Sequence, residues 1–103
     1  MRKLAHIGIP VSERPAKAAY LPDAKLCVTD PADSKNNIEF IYFEPDSPMP
    51  ELMKKSTHIA YFVENLEEEL KGAQILVEPF SPFPGVTAAF IVEDGLPIEL
   101  LGK

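Results

Sequence analysis

His6-Ile7-Gly8-Ile9-Pro10-Val11 returns 52 residues later as His58-Ile59-Ala60-Tyr61-Phe62-Val63, with the histidine, the isoleucine, a small residue and the final valine at the same offsets. A second pair follows in the same order: Ile38-Glu39-Phe40-Ile41 and Ile98-Glu99-Leu100-Leu101, 60 residues apart. Both are rich in branched and aromatic residues and read as strands. Two matched pairs in one order make the chain two copies of one module. The expected division is module one over 1–45, a linker over 46–56 and module two over 57–103, all within one domain of 103 residues and 11.4 kDa. A chain of that size supports one modest core.

Module two is the clearer copy. His58 to Glu64 reads as a strand, and Asn65 then caps a helix with Glu68 at its third position, a capping-box pattern. Gly72 suits the left-handed stop. Ala73 to Phe80 reads as a strand and Ser81 to Gly85 as a Pro-rich loop. Val86 to Val92 and Pro97 to Leu101 form a hairpin about Asp94-Gly95, a favoured turn pair. Pro97 lacks a donor and belongs at a strand start or edge. The order is β-α-β-β-β, an α+β class.

Module one is shortened. It has 33 positions from His6 to Glu39, against 41 from His58 to Glu99. The missing residues belong to Ser12–Asp23, where Pro15 and Pro22 leave an irregular or barely helical crossover. Lys25 to Thr29 and Asn37 to Glu44 read as strands, with a turn over Asp33 to Asn36. Within the linker, Ser47 is expected to cap one or two helical turns, with Pro48 at the first helical position.

Sixteen acids against ten bases leave a net charge of −6. That excludes nucleic acid and anionic membranes as natural partners, since both demand surplus Lys and Arg. One cysteine rules out an intrachain disulfide framework and a Cys-rich zinc site. Met1-Arg2-Lys3 has the sign of a secretory start. However, His6 and Pro10 interrupt the apolar run and no cleavage site follows, so a cytoplasmic address is expected. No run approaches the ~20 apolar residues of a membrane span.

Side chains alternate faces along a strand. His6 therefore shares a face with Gly8 and Pro10, and His58 with Ala60; each histidine is followed on its own face by a small residue. Glu39 and Glu44 differ in parity, so only one can look into a shared cavity, and the match to Ile98-Glu99 favours Glu39. If the copies pair about a pseudo-twofold axis, His6, Glu39, His58 and Glu99 converge. Two imidazoles and two carboxylates suit one divalent ion: zinc, nickel, iron, manganese or cobalt. Tyr42 and Tyr61 fall on the opposite faces. Cys27 reads as a small core residue, Glu67-Glu68-Glu69 as a solvated helix face, and Met49, Phe80, Phe83 and Phe90 as packing residues.

The stretches from His6 to Val11, Ile38 to Pro48, Thr57 to Glu68 and Pro97 to Leu101 resemble the vicinal oxygen chelate superfamily of glyoxalases, epimerases, extradiol dioxygenases and bleomycin-resistance proteins. The resemblance is strongest from Ile38 to Leu101. It departs in the missing long helix of module one and in a two-residue excess between Glu39 and Pro45. It implies a glyoxalase-like fold of paired modules, a mostly antiparallel curved sheet around a cavity, and the same four metal ligands. It further implies a lyase or isomerase that removes a proton next to a carbonyl of a small oxygen-chelating substrate. Glu99 would be the catalytic base and Glu39 would return the proton. The alternatives are a metal-free drug- or metabolite-binding protein with an aromatic cleft, and an iron-dependent extradiol-type dioxygenase that would leave Glu39 unused. A trimmed module leaves sheet uncovered, so a homodimer is expected. No motif marks a glutathione or coenzyme A site, and Arg14, Lys17 and Lys25 are only loose candidates for holding an anionic group.

Overall fold

The computed structural model describes residues 1–102. Eight strands form one mixed sheet that curls into a half-barrel, with two short α-helices, so the class is α+β. The strands are β1 (Lys3–Val11), β2 (Ala19–Leu21), β3 (Leu26–Val28), β4 (Ile38–Phe43), β5 (His58–Phe62), β6 (Ile75–Phe83), β7 (Val86–Glu93) and β8 (Leu96–Gly102). The helices are α1 (Glu51–Lys55) and α2 (Leu66–Leu70). Across the sheet the order is β2-β3-β4-β1-β5-β8-β7-β6. Each half of the chain supplies four strands in the same relative order, and the two first strands meet at the centre.

That central contact is antiparallel and pairs Ile7 with its repeat mate Ile59. The pseudo-twofold axis therefore passes through this pair. One step either side, His6 faces Ala60 and Gly8 faces His58. The parallel pairs β1–β4 and β5–β8 carry the symmetry outward, setting Glu39 beside Gly8 and Glu99 beside Ala60. The register of β4 is held just before Glu39, where the Asn37 side-chain amide donates to the Ala5 carbonyl and Ile7 N–H donates to the Asn37 carbonyl.

The local signals in module two act as expected. The Asn65 side chain accepts from Glu68 N–H at 3.2 Å, and Gly72 has φ +71°. Asp94 and Gly95 are both left-handed, at +54° and +74°, as a type I′ hairpin requires. Pro97 precedes the first residue of β8 paired to β5, so its missing donor breaks no bond in that ladder. Beneath α2, Val63, Ile91, Ile98 and Leu100 form a buried cluster with Leu66 and Leu70 packed on it.

Several local expectations are corrected. Ser12–Asp23 contains strand β2, which pairs with β3 from Ala19↔Val28 to Leu21↔Leu26 and contains no helix. Strand β6 runs on through Ser81, Pro82 and Phe83, and the turn is only Pro84-Gly85. An edge strand tolerates those prolines because one side of it makes no ladder bonds, and three register irregularities accommodate them. Helix α1 begins at Glu51, with Pro50 at the capping position and no side-chain cap. Ser47 instead turns inward, where its hydroxyl donates to the Ala24 carbonyl at 2.6 Å. Glu69 is not simply solvated: with Glu93 it binds the Arg2 guanidinium, tying the amino terminus to α2 and β7.

Candidate metal centre

Strand alternation puts His6, Glu39, His58 and Glu99 on the concave face, and the register gathers them within it. Two rows cross the sheet there, Glu39–Gly8–His58 and His6–Ala60–Glu99. Each small residue lies between a histidine and a glutamate. The space beside each histidine is thus opened by the opposite strand. His58 lies directly over Gly8, so a Cβ at position 8 would overlap its Cε1, Nε2 and Nδ1. His6 stands over Ala60 in the equivalent place.

One donor atom from each of the four residues lies within 4.8 Å of all the others. The Glu99 Oε1 atom is 3.1 Å from His58 Nε2 and 3.3 Å from His6 Nε2. The Glu39 Oε1 atom is 3.5 Å from His6 Nε2 and 3.8 Å from His58 Nε2. Donors about 2.1 Å from a tetrahedral ion stand about 3.4 Å apart, so the spacing fits a small divalent cation. His6 Nε2 is buried and aimed at both carboxylates, yet makes a directional hydrogen bond to neither. Such an orphan nitrogen is what a metal ligand becomes when only protein atoms are considered. The residues present therefore fit the group that the donor chemistry implies.

Packing orients the second imidazole. His58 Nδ1 is buried without a hydrogen-bond partner, and the ring is held by the Gly8 recess and by an edge contact with Phe90 at 5.2 Å and 90°. His58 is only 1% exposed. Glu39 is the least buried and the most loosely held of the four, as its longer contacts show.

The electrostatics follow from this crowding. Burial alone would lower the His6 imidazole, but the Glu39 and Glu99 carboxylates facing it at 3.5 and 3.3 Å overcome that and raise the pKa to about 9. Burial alone would raise the Glu99 carboxyl, but His58 and His6 hold it at about 2. Linkage turns both into stability. The His6 contribution is complete below its ordinary 6.5 and is lost as pH rises through 9; that of Glu99 is present above its ordinary 4.5 and lost as pH falls through 2. In chelator, the melting temperature measured by scanning calorimetry is expected to hold level between pH 4.5 and 6.5 and to fall on either side. A divalent ion should remove the alkaline decline, because it takes the place of the proton. A level profile to pH 9 in chelator contradicts this assignment.

The donors form the floor of a cavity of about 230 Å³. Leu26, Val28, Ile41 and Met49 line it from the first half of the chain, and Phe80, Phe83 and Phe90 from the second. The phenylalanines and Met49, read from sequence as packing residues, are thus cavity wall. A period-two pattern could find the face of Phe90 but not where the sheet curls over it. Tyr42 and Tyr61 lie under Arg14 and Arg2 respectively, and neither lines the cavity. Cys27 is buried, 2% exposed. Arg14 and Lys25 are drawn to Glu44 and Asp46, away from the cavity lining.

No protein-family model and no curated protein sequence matches the chain. Among solved structures, it is similar to a hypothetical protein, BH1468, from Bacillus halodurans C-125, with a TM-score of 0.66 and 22% identity over 99% of this chain and 94% of that one. It is also similar to methylmalonyl-CoA epimerase from Mycobacterium tuberculosis, with a TM-score of 0.62 and 16% identity over 97% of this chain and 87% of that one. At these identities the likeness is one of fold, the curled mixed sheet of the glyoxalase-like kind.

Proposed function

We propose that the protein is a divalent-metal-dependent enzyme of the glyoxalase-like kind, a lyase or isomerase, that moves a proton on carbon next to a carbonyl. The observation that carries this is the convergence of four N and O donors, two from each half, at the floor of an apolar cavity. His6, His58, Glu39 and Glu99 would hold the ion. When bound, it supplies Lewis-acid stabilisation of negative charge that develops on substrate oxygen. The apolar walls exclude water and strengthen that electrostatic effect. Glu99, on one side of the donor group, takes a proton from carbon as its carboxylate. Glu39, from the other half and carrying a proton gained from solvent, gives one back, and Glu99 releases its own to solvent, so no net proton is consumed. The structural neighbour named as an epimerase supports the same class of reaction.

Elemental analysis of protein purified without chelator tests the metal directly. We expect about one equivalent of zinc, nickel, iron, manganese or cobalt per chain, with affinity that rises with pH as His6 gives up its proton. A metal-free preparation that takes up none of the five on titration removes the reading. The apolar cavity then favours a small-molecule-binding protein, since its aromatic wall needs no ion. The dioxygenase reading required Glu39 to stand apart, and its carboxylate lies within the donor group.

Pairing of two copies in a cytoplasmic setting is part of the same proposal. Leu4, Tyr20 and Phe62 are 58%, 47% and 53% exposed, and no helix follows β1 where α2 follows β5. Among the described residues no helix is long and apolar enough to cross a membrane. Sedimentation equilibrium is expected to give twice the chain mass; a single-chain mass at tens of micromolar argues against pairing.

A further inference from the structure

Apart from the four donors, the cavity is walled by apolar side chains, and its two halves differ in kind. The second half builds an aromatic wall that starts at a donor. Phe90 meets the His58 ring edge-on, and Phe80 lies parallel to Phe90, with an interplanar angle of 10° and centroids 6.3 Å apart. From the first half, Leu26, Val28 and Ile41 form a mainly aliphatic surface of the same cavity, with Phe43 and Met49 packed against it. Phe62 and Phe83 stand at the rim, half-exposed.

The lining contains no lysine or arginine, and its charges are confined to the donor group at its floor, Glu39 and Glu99 with the His6 imidazole they face. A carboxylate, phosphate or nucleotide tail drawn into this space would lose its hydration with nothing to pair it. The adjoining depression, which shares Glu39 and Phe83 with the cavity, does hold Lys17, but beside Asp30 and Asp33. Size narrows the choice further. A cavity of about 230 Å³ exceeds the ~150 Å³ that admits benzene and falls short of the ~300 Å³ at which drug-sized pockets begin.

We propose that the substrate is a small, uncharged, single-ring compound bearing two neighbouring oxygens, with the oxygens on the donor group and the ring between the Phe80–Phe90 wall and the aliphatic surface. This rests on the metal-dependent reading above and adds the identity of the part of the substrate that does not react. It sets the protein apart from enzymes that grip a large anionic handle such as a coenzyme A or glutathione moiety.

Two hydroxamates with the same two-oxygen head test it. On zinc-loaded protein, isothermal titration calorimetry should find benzohydroxamate bound about thirtyfold more tightly than acetohydroxamate, from burial of the ring. A carboxyl group para to the head should cancel at least tenfold of that gain. Phe83→Ser should weaken benzohydroxamate severalfold and leave acetohydroxamate unchanged. Equal affinity for the two hydroxamates, or tighter binding of the para-carboxylate, overturns the proposal. If zinc is not taken up, the metal reading fails by itself. The ring site is then read on metal-free protein with benzyl alcohol, which should shift the NMR signals of Phe80 and Phe90. Unshifted signals overturn the proposal there too.

Discussion

Gly8→Ala is expected to abolish tight metal binding while the sheet still forms. In the paired register Gly8 lies opposite His58, and a Cβ at position 8 would occupy the space of the imidazole ring itself. The ring is 1% exposed and walled by Phe90, so it cannot swing aside without displacing the cavity wall. Forcing the methyl group in pushes His58 off its position or spreads the two central strands. Overpacking of this kind costs about 1–3 kcal/mol, or a fall of roughly 5–15 °C in melting temperature for a chain of this size. Metal affinity should fall by about a hundredfold or more, because a lost ligand costs at least as much as a lost supporting contact. Calorimetric titration with zinc, together with the thermal melt, reads both. Ala60→Gly is the control: it only removes atoms at the equivalent site beneath His6, and should keep the ion. Metal affinity within a few-fold of wild type in Gly8→Ala would show that His58 is not a ligand.

Glu99→Gln is expected to abolish turnover and preserve the fold. The amide keeps the shape of a side chain that is only 8% exposed, but loses the charge that lies 3.1 and 3.3 Å from the two imidazoles. It can neither take a proton from carbon nor balance the charge of an ion as the carboxylate does. A positioned general base contributes about 10²–10⁴ in rate, and loss of at least that size is expected with the circular dichroism spectrum unchanged. Glu39→Gln separates the two carboxylates. It too should stop net turnover, yet keep exchange of the substrate carbon-bound hydrogen with deuterium from solvent, which Glu99→Gln should lose. Exchange lost in Glu39→Gln and retained in Glu99→Gln reverses the two roles. The looser contacts of Glu39 make that reversal the one to watch, since a loosely held carboxylate is the cheaper one to release. Wild-type turnover in both variants removes proton abstraction from the proposal.

Much of the donor group is legible in the chain itself. The two histidines occupy one repeat position, and a strand's alternation is a local, two-residue rule, so the face of His6, Glu39, His58 and Glu99 follows from parity alone. The cap at Asn65 and the turn at Asp94-Gly95 are equally local, because their hydrogen bonds close within a few residues. The crossover was not legible. Ala19-Tyr20-Leu21 lies in a Pro-punctuated stretch too short to show a period, and it is a strand only because Leu26-Cys27-Val28 pairs with it. Strand β6 extends through Pro82 for the corresponding reason, as an edge that can spare the donor.

Sequence alone, then, determined which side chains share a face and that the two halves are copies, since covalent spacing dictates both. The fold decided what lies opposite what. Parity puts Gly8 on the face of His6, but the histidine it makes room for is His58 on the other strand, because register between strands is set by pairing across 52 residues of chain. Curling of the sheet likewise turned Phe80, Phe83 and Phe90 from packing residues into the wall of a cavity. Both outcomes depend on contacts between distant segments, which no local pattern encodes.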